Sequence, residues 1–513
     1  MTVKKKIIAA VSAALGAAVL LAGGLGFIIT PVTGAFPDTA VEGIKPFAAG
    51  TGVCSNYYRI PSMITTQNGT VLAAIDARFG GTFDSPNNLD TAVSRSEDHG
   101  KTWSPSQLAL SFQDWEDSRL ILKEGAPAVR NSASAIDPSL LQDHETGRIF
   151  ALVDAFPYAT GVKNVQRGSG YTEIDGQKYL MLRKKGESEY SYTVREDGII
   201  YDASGGRTAY SLNDRYEVLE NGIPLSVEQK EVHYWYTVPY GTGNGVEVPM
   251  NILYQDSLFQ PLPTSYLYLI SSDDNGVTWS APVDLNGQVK PDTESFMGVG
   301  PGRGIQIQNG AYAGRLIFTA YYHDPETASE RFTTLYSDDH GETWNAGDVV
   351  VLDPAIGNMS ETQLVELPDG SLQSFSRTTV GRVATARSTD GGVTWSVPEL
   401  VEELPLTPGG CQVSAINYQG KIDGCNAVLL SAPAGESRTN GYIYVGLILG
   451  DGQIDWTYRM EVTPPGTYFA YSCLTQLADG SIGLLYEQAN ASHTVDTVVF
   501  KTYTVRELCA ERI

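Results

Sequence analysis

Short runs of alternating apolar and polar residues recur along the chain, and each predicts a β-strand. Four of them, TAVSRS, SYLYLISS, FTTLYS and VATARS, are rich in hydroxyl, aromatic and β-branched residues. Each run leads into a copy of the pattern Ser-x-Asp-x-Gly-x-Thr-Trp, which begins at Ser96, Ser272, Ser337 and Ser388. The aspartate can accept hydrogen bonds from loop amides, the glycine can adopt a positive φ, and the tryptophan can plug the turn. The repeat therefore predicts hairpin turns rather than catalytic residues.

The spacing of these copies indicates a β-propeller. Their first residues are separated by 176, 65 and 51 residues, and one four-stranded blade takes roughly 40 to 50 residues plus loops. The first gap has room for two blades and an insertion. We therefore expect an all-β fold, a six-bladed β-propeller whose strands occupy residues 45–160 and 251–510.

A β-rich domain is predicted to be inserted at residues 161–250, which lack the repeated motif. The run YSYTVREDGIIYDASGGRTAY alternates well, and the tripeptides EDG and ENG are typical of hairpins. Such a domain can support the propeller and build its rim, or it can take part in selecting a ligand. We favour the supporting role.

The amino-terminal segment, residues 1–35, has the pattern of an export signal. Lys4, Lys5 and Lys6 precede an uncharged run of about 23 residues, which is also long enough to span a bilayer as an anchor. We favour a cleaved signal because the small residues of TPVTGA follow the run. The protein is therefore expected to be secreted or held at the cell surface, with membrane attachment only through this segment.

Charge and cysteine content exclude several classes of protein. The formal net charge of −24 predicts repulsion from nucleic acids and anionic membranes. The five cysteines and six histidines form no metal-binding pattern, so we expect no metal and no cofactor. A Cys411–Cys425 bridge is possible, but independent buried thiols are favoured.

Three arginines lie beside predicted strands: Arg59 in YYRIPSM, Arg377 in SFSRTT and Arg438 in ESRTNGYIYVG. Singly, each would be expected to pack its stem on an apolar strand or to pair with an acid. A propeller brings the inner strands of distant blades to one axis, so the three guanidinium groups can converge. Because an arginine fork binds both oxygens of a carboxylate, such a trio predicts a site for a small planar anion.

From about residue 50 to 505 the chain resembles bacterial sialidases, and the Ser-x-Asp-x-Gly-x-Thr-Trp repeat resembles their Asp-box. Arg59 matches the Arg-Ile-Pro motif that opens the family, and DARFGGTFD resembles the loop that follows it. The resemblance places Arg78 as a second sugar-contacting arginine, Asp84 as the acid/base, and Asp137 of AIDPSL in the acidic pocket.

The same resemblance covers the second half of the chain. SETQLVELPDG places Glu361 at the general base, sixteen residues before Arg377, and YFAYSCLTQL places Tyr471 at the nucleophile, after Arg438. GPGRGIQIQ, which contains Arg303, resembles a segment near the pocket, but no role is assigned to it.

The resemblance implies an exo-α-sialidase that hydrolyses sialylated glycoproteins, glycolipids or oligosaccharides with retention, through a tyrosyl-enzyme intermediate. Transfer to another sugar or to the substrate's own hydroxyl stays open. The segment EQANASHTVDTVVF after Tyr471, with His493 and no tryptophan, favours hydrolysis. The rival class is a non-catalytic glycan-binding propeller, against which the complete set of Asp84, Glu361 and Tyr471 argues.

Overall fold

The computed structural model describes residues 43–48, 52–53, 55, 57–79, 81–115, 131–230, 246–489 and 495–513. Nearly all regular structure in these ranges is β, which confirms the predicted all-β class. Within the described ranges the α-helices are two single turns, α1 Asn286–Val289 and α2 Val505–Leu508. None of the described helices has the length and apolar character needed to cross a membrane. The predicted signal or anchor at residues 1–35 lies outside the described residues, as do Cys54 and His493.

The first propeller sheet contains nine strands, and eight of them form two antiparallel meanders joined by a parallel bridge between Leu89 and Ser134. The ninth strand, Gly302–Arg303, pairs in parallel with Ser134–Gln142. The strands of this sheet are β1 Tyr57–Thr65, β2 Val71–Phe79, β3 Asn88–Ser96, β4 Gln107–Leu110, β5 Ser134–Gln142, β6 Ile149–Phe156, β17 Tyr266–Ser272, β18 Val283–Asp284 and β20 Gly302–Arg303. Every residue of β2 and of β6 is buried. These two strands read as near-continuous apolar runs because other sheets cover both of their faces.

Four further sheets continue the propeller with the same antiparallel order. The first two contain β19 Phe296–Val299, β21 Ile305–Gln306, β22 Leu316–Asp324, β23 Ser329–Ser337 and β24 Asn345–Ala346, and then β25 Thr362–Glu366, β26 Leu372–Ser376, β27 Arg382–Ser388 and β28 Glu399–Pro405. The last two contain β29 Ser414–Ile422, β30 Cys425–Pro433, β31 Gly441–Ile448, β32 Ile454–Glu461 and β36 Glu511–Arg512, and then β33 Ser472–Gln476, β34 Ile482–Ala489 and β35 Val495–Tyr503.

The first strands of successive meanders surround a common axis. Strand β1 contacts β5 on one side and β33 on the other, and β29 lies between β25 and β33. An antiparallel bridge between Ile44 and Phe500 ties the amino-terminal part of the described chain to the last sheet. This arrangement confirms a β-propeller-like fold, and it gives the axis two ends, one at the start of the first strands and one at their finish.

The inserted part of the chain forms its own sheet beside the propeller. It contains β7 Tyr171–Ile174, β8 Gln177–Lys184, β9 Tyr192–Val194, β10 Ile199–Tyr201, β11 Arg207–Leu212, β12 Val218–Glu220, β13 Ile223–Pro224 and β16 Phe259–Pro261, with a separate hairpin of β14 Ser226–Glu228 and β15 Glu247–Pro249. Leu180 and Ile200 of this sheet share a core with Tyr266 and Tyr268 of β17. The insertion therefore packs on the propeller, and the domain boundaries at residues 160 and 250 stay a prediction.

The repeated Asp-box motif forms the turn between the third and fourth strands of a meander. In the first copy Asp98 accepts hydrogen bonds from Thr102 N at 2.8 Å and from Thr102 Oγ1 at 2.7 Å, and Trp103 Nε1 donates to Gly100 O at 3.0 Å. The aspartate–threonine pair recurs at Asp274, Asp339 and Asp390. These hydrogen bonds lower the pKa of Asp98 to about 2. The motif is thus a turn held by its own side-chain hydrogen bonds, as its sequence predicts.

Side-chain oxygens tie neighbouring hairpins together at the end of the axis where the first strands finish. We call this set the amide ring. Its hydrogen bonds run from Gln67 N to Gln142 Oε1 (2.8 Å), His144 N to Gln306 Oε1 (2.8 Å), Gln308 N to Glu366 Oε2 (2.8 Å), Glu366 N to Asn417 Oδ1 (2.9 Å) and Gln419 N to Gln476 Oε1 (2.8 Å). Between the last sheet and the first, Thr65 Oγ1 and Thr475 Oγ1 are 3.0 Å apart.

Cys411 and Cys425 are free thiols, so the possible bridge between them is absent. Cys411 is buried and Cys425 is partly buried. The remaining described cysteines, Cys473 and Cys509, are also free.

Candidate active site

A cavity of about 200 Å³ opens at the end of the axis where the first strands begin. Its lining comprises Arg59, Ile60, Asp84, Ser85, Ile136, Asp137, Asp154, Phe156, Val162, Tyr321, Glu361, Arg377, Arg438 and Tyr471. Seven of the eight residues that the sequence singled out are in this lining. The eighth, Arg78, is fully buried behind Asp84 and contacts it directly.

Antiparallel pairing explains why residues sixteen positions apart meet at this cavity. Glu361 directly precedes β25 and Arg377 directly follows β26, and Arg377 N donates to Glu361 O at 2.9 Å. Tyr471 directly precedes β33, and Glu487 N donates to its carbonyl oxygen at 2.9 Å. Equivalent positions in two different sheets therefore place two pairs of polar side chains near the axis, Glu361 with Arg377 and Tyr471 with Glu487.

Tyr471 and Glu361 form the shortest polar contact of the cavity. Tyr471 Oη donates to Glu361 Oε1 at 2.5 Å, and Arg377 Nη1 donates to Glu361 Oε2 at 2.8 Å and to Tyr471 Oη at 3.1 Å. Burial and the charge of Glu361 raise the pKa of Tyr471 well above its usual range, and Arg377 and Arg438 oppose this shift. The tyrosine is therefore protonated at rest, with a carboxylate in place to take its proton.

The three predicted arginines surround the ring of Tyr471. The guanidinium carbons of Arg59 and Arg438 lie 5.4 and 5.2 Å from the ring centroid, within reach of a cation–π interaction, and Arg377 reaches the hydroxyl. Arg438 Nη2 makes a long contact of 3.5 Å to Gly410 O, and this arginine has no ion pair with a carboxylate of the described chain. The trio therefore concentrates positive charge where a small anion can enter.

Glu487, which the sequence analysis did not single out, holds Arg59 in place. It is fully buried and accepts from Arg59 Nε at 3.1 Å, from Arg59 Nη2 at 3.3 Å and from Ile60 N at 2.9 Å. Ile60 has a φ of 61° at a bulge in β1, a conformation that is costly for a β-branched residue. The bulge turns the Ile60 amide toward the carboxylate. Glu487 lies sixteen residues after Tyr471, just as Arg377 lies sixteen residues after Glu361. This shared spacing is a sequence signal by which Glu487 could have been found.

Asp84 lies at the open side of the cavity, with 65 % of its side chain exposed. Its Oδ1 accepts from Arg78 Nη1 at 2.7 Å and lies 3.7 Å from Arg59 Nη1. Partial enclosure raises the pKa of Asp84, but the charges of Arg78 and Arg59 lower it by more, so the pKa lies below its usual range. Asp84 is thus a carboxylate in the empty cavity.

Three acids lie on the other side: Asp137, which is partly buried, and Asp76 and Asp154, which are buried and were missed by the sequence analysis. Asp137 N, at a second bulge with a φ of 63°, donates to Asp76 Oδ1 at 2.9 Å, and Val299 N donates to Asp154 Oδ1 at 3.0 Å. Burial raises the pKa of Asp76 to about 7 and those of Asp137 and Asp154 well above their usual range. Burial therefore disfavours the charged forms of Asp137 and Asp154, and each acid, when protonated, can donate as well as accept a hydrogen bond.

Within the described ranges, no group of three or more histidine, cysteine or acidic side chains is arranged to hold a metal ion. What the cavity can do follows from its own side chains: bind a small anion, move a proton from a tyrosine to a carboxylate, and exchange a proton at an exposed aspartate.

The fold and the cavity define an Asp-box β-propeller with a buried tyrosine–carboxylate pair inside a ring of arginines. Residues 207–484 match the family model of the BNR repeat-like domain. The chain belongs to this family and, within it, to the sialidases.

Several characterised proteins are similar to the chain. It is 38 % identical over 485 residues to the anhydrosialidase of Macrobdella decora and 38 % identical over 456 residues to sialidase B of Streptococcus pneumoniae. These alignments cover 91 % and 86 % of the chain but 63 % of each relative, so the chain spans less than two thirds of their length. The crystal structure of the intramolecular trans-sialidase from Ruminococcus gnavus in complex with oseltamivir carboxylate superposes with a TM-score of 0.82 at 38 % identity, covering 91 % of this chain and 98 % of that one.

Proposed function

We propose that the chain is an exo-α-sialidase that removes terminal sialic acids from glycoconjugates with retention of configuration. The observation that carries the proposal is the 2.5 Å hydrogen bond from Tyr471 Oη to Glu361 Oε1 inside the arginine trio. When Glu361 takes the proton, the phenolate attacks the anomeric carbon and forms a covalent glycosyl-enzyme. The names of the relatives support this reading.

The chemistry of sialic acid explains why a tyrosine suits this role. The sugar carries a carboxylate on its anomeric carbon, which would repel a carboxylate nucleophile, and sialidases with a tyrosine nucleophile are an exception to the two-carboxylate scheme. Tyr471 is neutral until it reacts, because its pKa is raised by burial and by Glu361. Negative charge develops on the tyrosine oxygen only as Glu361 takes the proton, and it is neutralised as the bond to the anomeric carbon forms.

The arginine trio is assigned to the substrate carboxylate. Arg59 and Arg377 each already have a buried carboxylate partner, Glu487 and Glu361, which fixes the direction of their guanidinium groups. Arg438 brings a positive charge that no described carboxylate offsets within ion-pair distance. The site thus combines two oriented forks with one free charge, which favours an anionic sugar over a neutral one.

Asp84 is assigned as the acid and then the base. It must carry a proton when the substrate binds, although Arg78 and Arg59 keep its pKa low in the empty cavity. A substrate carboxylate on Arg59 offsets part of that positive charge, so the pKa of Asp84 rises as the substrate arrives. Asp84 then protonates the glycosidic oxygen as its bond to the anomeric carbon breaks. In the second step it takes a proton from the water that releases Tyr471.

Asp137 and Arg78 complete the assigned site. Asp137 lines the cavity, and burial raises its pKa, so in its protonated form it can donate a hydrogen bond to the polar groups of the bound sugar. Arg78 was expected to contact the sugar, and that role stays a prediction. Its contacts with Asp84 at 2.7 Å and with Asp76 at 2.7 Å support an additional role in orienting Asp84.

We further infer that the propeller has six blades and that the protein acts outside the cytoplasm. The two meanders of the first sheet and the four following sheets support six blades. Export is supported by the lysine-led apolar segment at residues 1–35. Its substrates would then be sialylated glycoproteins, glycolipids or oligosaccharides in that compartment, and the inserted sheet would support the propeller.

Intramolecular transfer is a second candidate, and the relatives favour it. The leech intramolecular trans-sialidase is 37 % identical to this chain, and the match covers 91 % of this chain and 71 % of that one with a TM-score of 0.83. Its structure was solved with 2,7-anhydro-Neu5Ac after soaking with 3'-sialyllactose. In that reaction a hydroxyl of the bound sugar, rather than water, would attack the anomeric carbon. The segment used to favour hydrolysis includes residues outside the described ranges.

One experiment separates these functions. The purified protein is incubated with a fluorogenic sialoside and with 3'-sialyllactose, and the fresh product is followed by proton NMR. Free sialic acid in the α-configuration indicates hydrolysis with retention, whereas an anhydro sugar indicates intramolecular transfer. Binding of the sialoside without release of product would leave the glycan-binding propeller as the remaining function and would exclude both enzymatic proposals.

A further inference from the structure

A second cavity, of about 350 Å³, lies at the opposite end of the propeller axis, where the first strands finish. Its lining includes Thr65, Gln142, Arg303, Glu366 and Thr475, together with other members of the amide ring. None of the candidate catalytic residues lines it. The sequence marked Arg303 without giving it a role, and the structure places it in this cavity.

Arg303 carries a charge that nothing in the described chain neutralises. Its side chain has no ion pair and no hydrogen bond with a described residue, and its Nε atom is buried without a partner. A guanidinium group cannot escape by losing its proton at any ordinary pH. Arg303 is partly buried, and a partly buried charge without a counter-charge is unfavourable, so an anion from outside the chain would stabilise it.

The titratable groups around Arg303 do not provide that counter-charge. Glu366 also lines the cavity, but its two oxygens accept from Gln308 N at 2.8 Å and Asn309 N at 2.7 Å, and it is not within ion-pair distance of Arg303. Burial lowers the pKa of Arg303, and the effect of Cys473 opposes this only in part. Burial also raises the pKa of the Cys473 thiol to about 11, so Cys473 is neutral.

The cavity also offers hydrogen-bond donors to an anion. Thr65 Oγ1 and Thr475 Oγ1 are 3.0 Å apart, and either can be the donor. Each hydroxyl has one hydrogen and only one of the two is used between them, so the other is available to the cavity. A permanent cation and a spare hydroxyl that line the same cavity have the chemistry of an anion site.

We propose that this axial cavity binds a small inorganic anion on Arg303, which stabilises the junction of the sheets. Chloride and small oxyanions share the required chemistry, a single compact negative charge. The proposal is independent of the sialidase reaction, because the site lies at the other end of the axis and shares no lining residue with the candidate active site.

Thermal unfolding tests the proposal on the intact protein. The melting temperature is measured at constant ionic strength while sodium gluconate is replaced by sodium chloride, nitrate or phosphate. A bound anion at about 100 times its Kd should raise the Tm by about 3 °C for a chain of this size, and the most effective salt identifies the anion. Identical Tm values in all four salts would overturn the proposal.

The variant Arg303→Gln removes the charge and keeps a side chain of similar polarity. Its Tm should not depend on the anion, and it should be as stable as the wild type or more stable in gluconate but less stable in the effective salt. Arg148→Gln is the matched control: Arg148 is paired with Asp273 at 2.8 Å outside this cavity, so that variant should keep the anion dependence. A variant at Arg303 that responds to the salts as the wild type does would contradict the proposal.

Crystals of the wild type soaked in sodium bromide give a measurement that does not depend on a variant folding. The anomalous map should show bromide at the guanidinium group of Arg303, and soaking with the effective anion should displace it. Water in place of bromide would refute the site. A bromide peak without any change in Tm would indicate an adventitious ion only and would also refute the site.

Discussion

Replacing Tyr471 by phenylalanine deletes one oxygen and tests the proposed mechanism at its centre. The variant loses the 2.5 Å hydrogen bond to Glu361 and the 3.1 Å contact from Arg377, while Arg377 still pairs with Glu361 at 2.8 Å. A hydrogen bond to a charged group contributes about 1.5 to 3 kcal/mol to stability. Because the unfolding entropy of a chain this long is on the order of 1 kcal/mol/K, the Tm should fall by only about 2 to 3 °C.

The effect on turnover should be far larger than this loss of stability. Without the nucleophile, water must attack directly, and we expect kcat on a fluorogenic sialoside to fall by about a thousandfold, or about 4 kcal/mol. Tyr486→Phe is the matched control, since Tyr486 Oη contacts Gln488 at 3.2 Å outside the cavity, and its kcat should be unchanged. A fluorinated sialoside should label wild-type Tyr471, as read by peptide mass spectrometry. Labelling of another residue, or near wild-type turnover in Tyr471→Phe, would refute the assignment.

Three further predictions follow from the contacts of the site. Arg438→Lys keeps the charge but loses the planar fork, so kcat/KM should fall at least about tenfold, or about 1.4 kcal/mol. Unchanged kinetics would show that Arg438 does not bind the substrate carboxylate. Glu487→Gln leaves the buried Arg59 without its counter-charge and should lower the free energy of unfolding by about 3 kcal/mol or more. The kinetic effect should be mainly a higher KM for a sialoside. A change in Tm without a change in KM would show that Glu487 is purely structural. Arg78→Gln removes a cation beside Asp84 and so raises the pKa of that acid, which should move the alkaline limb of kcat/KM for 3'-sialyllactose to higher pH; a limb that stays in place would exclude Asp84 as the acid.

The sequence was sufficient to predict those parts of the structure that depend on contacts between residues close together in the chain. The Asp-box could be read directly, because Asp98, Thr102 and Trp103 make their contacts within a few residues of one another. Alternating runs such as VATARS also predicted their strands, since burial of one or both faces follows the period of the sequence.

The site could be predicted only where a motif or a family resemblance marks its residues. Arg59 is marked by the Arg-Ile-Pro motif, but its partner Glu487 lies 428 residues away and is marked only by its spacing of sixteen residues from Tyr471, which does not show that it pairs with Arg59. Arg78 is a different case: its partners Asp76 and Asp84 are two and six residues away, but its complete burial could not be read from the sequence. Long-range pairing of charged groups depends on the closure of the propeller, which no short pattern encodes.

The buried acids connect the closure of the propeller to the charge of the site. Asp76, Asp154 and Glu487 each accept the backbone N–H of the first strand of the next meander, at Asp137, Val299 and Ile60 respectively. Each carboxyl group therefore joins two neighbouring meanders and at the same time contributes to the electric field of the cavity. If all of them were ionised, they would repel the carboxylate of a sialic acid. Burial raises the pKa of Asp76 to about 7 and that of Asp154 well above its usual range, which disfavours a negative charge on either group. Glu487 is matched by Arg59, and the positive charge of Arg438 is left for the substrate.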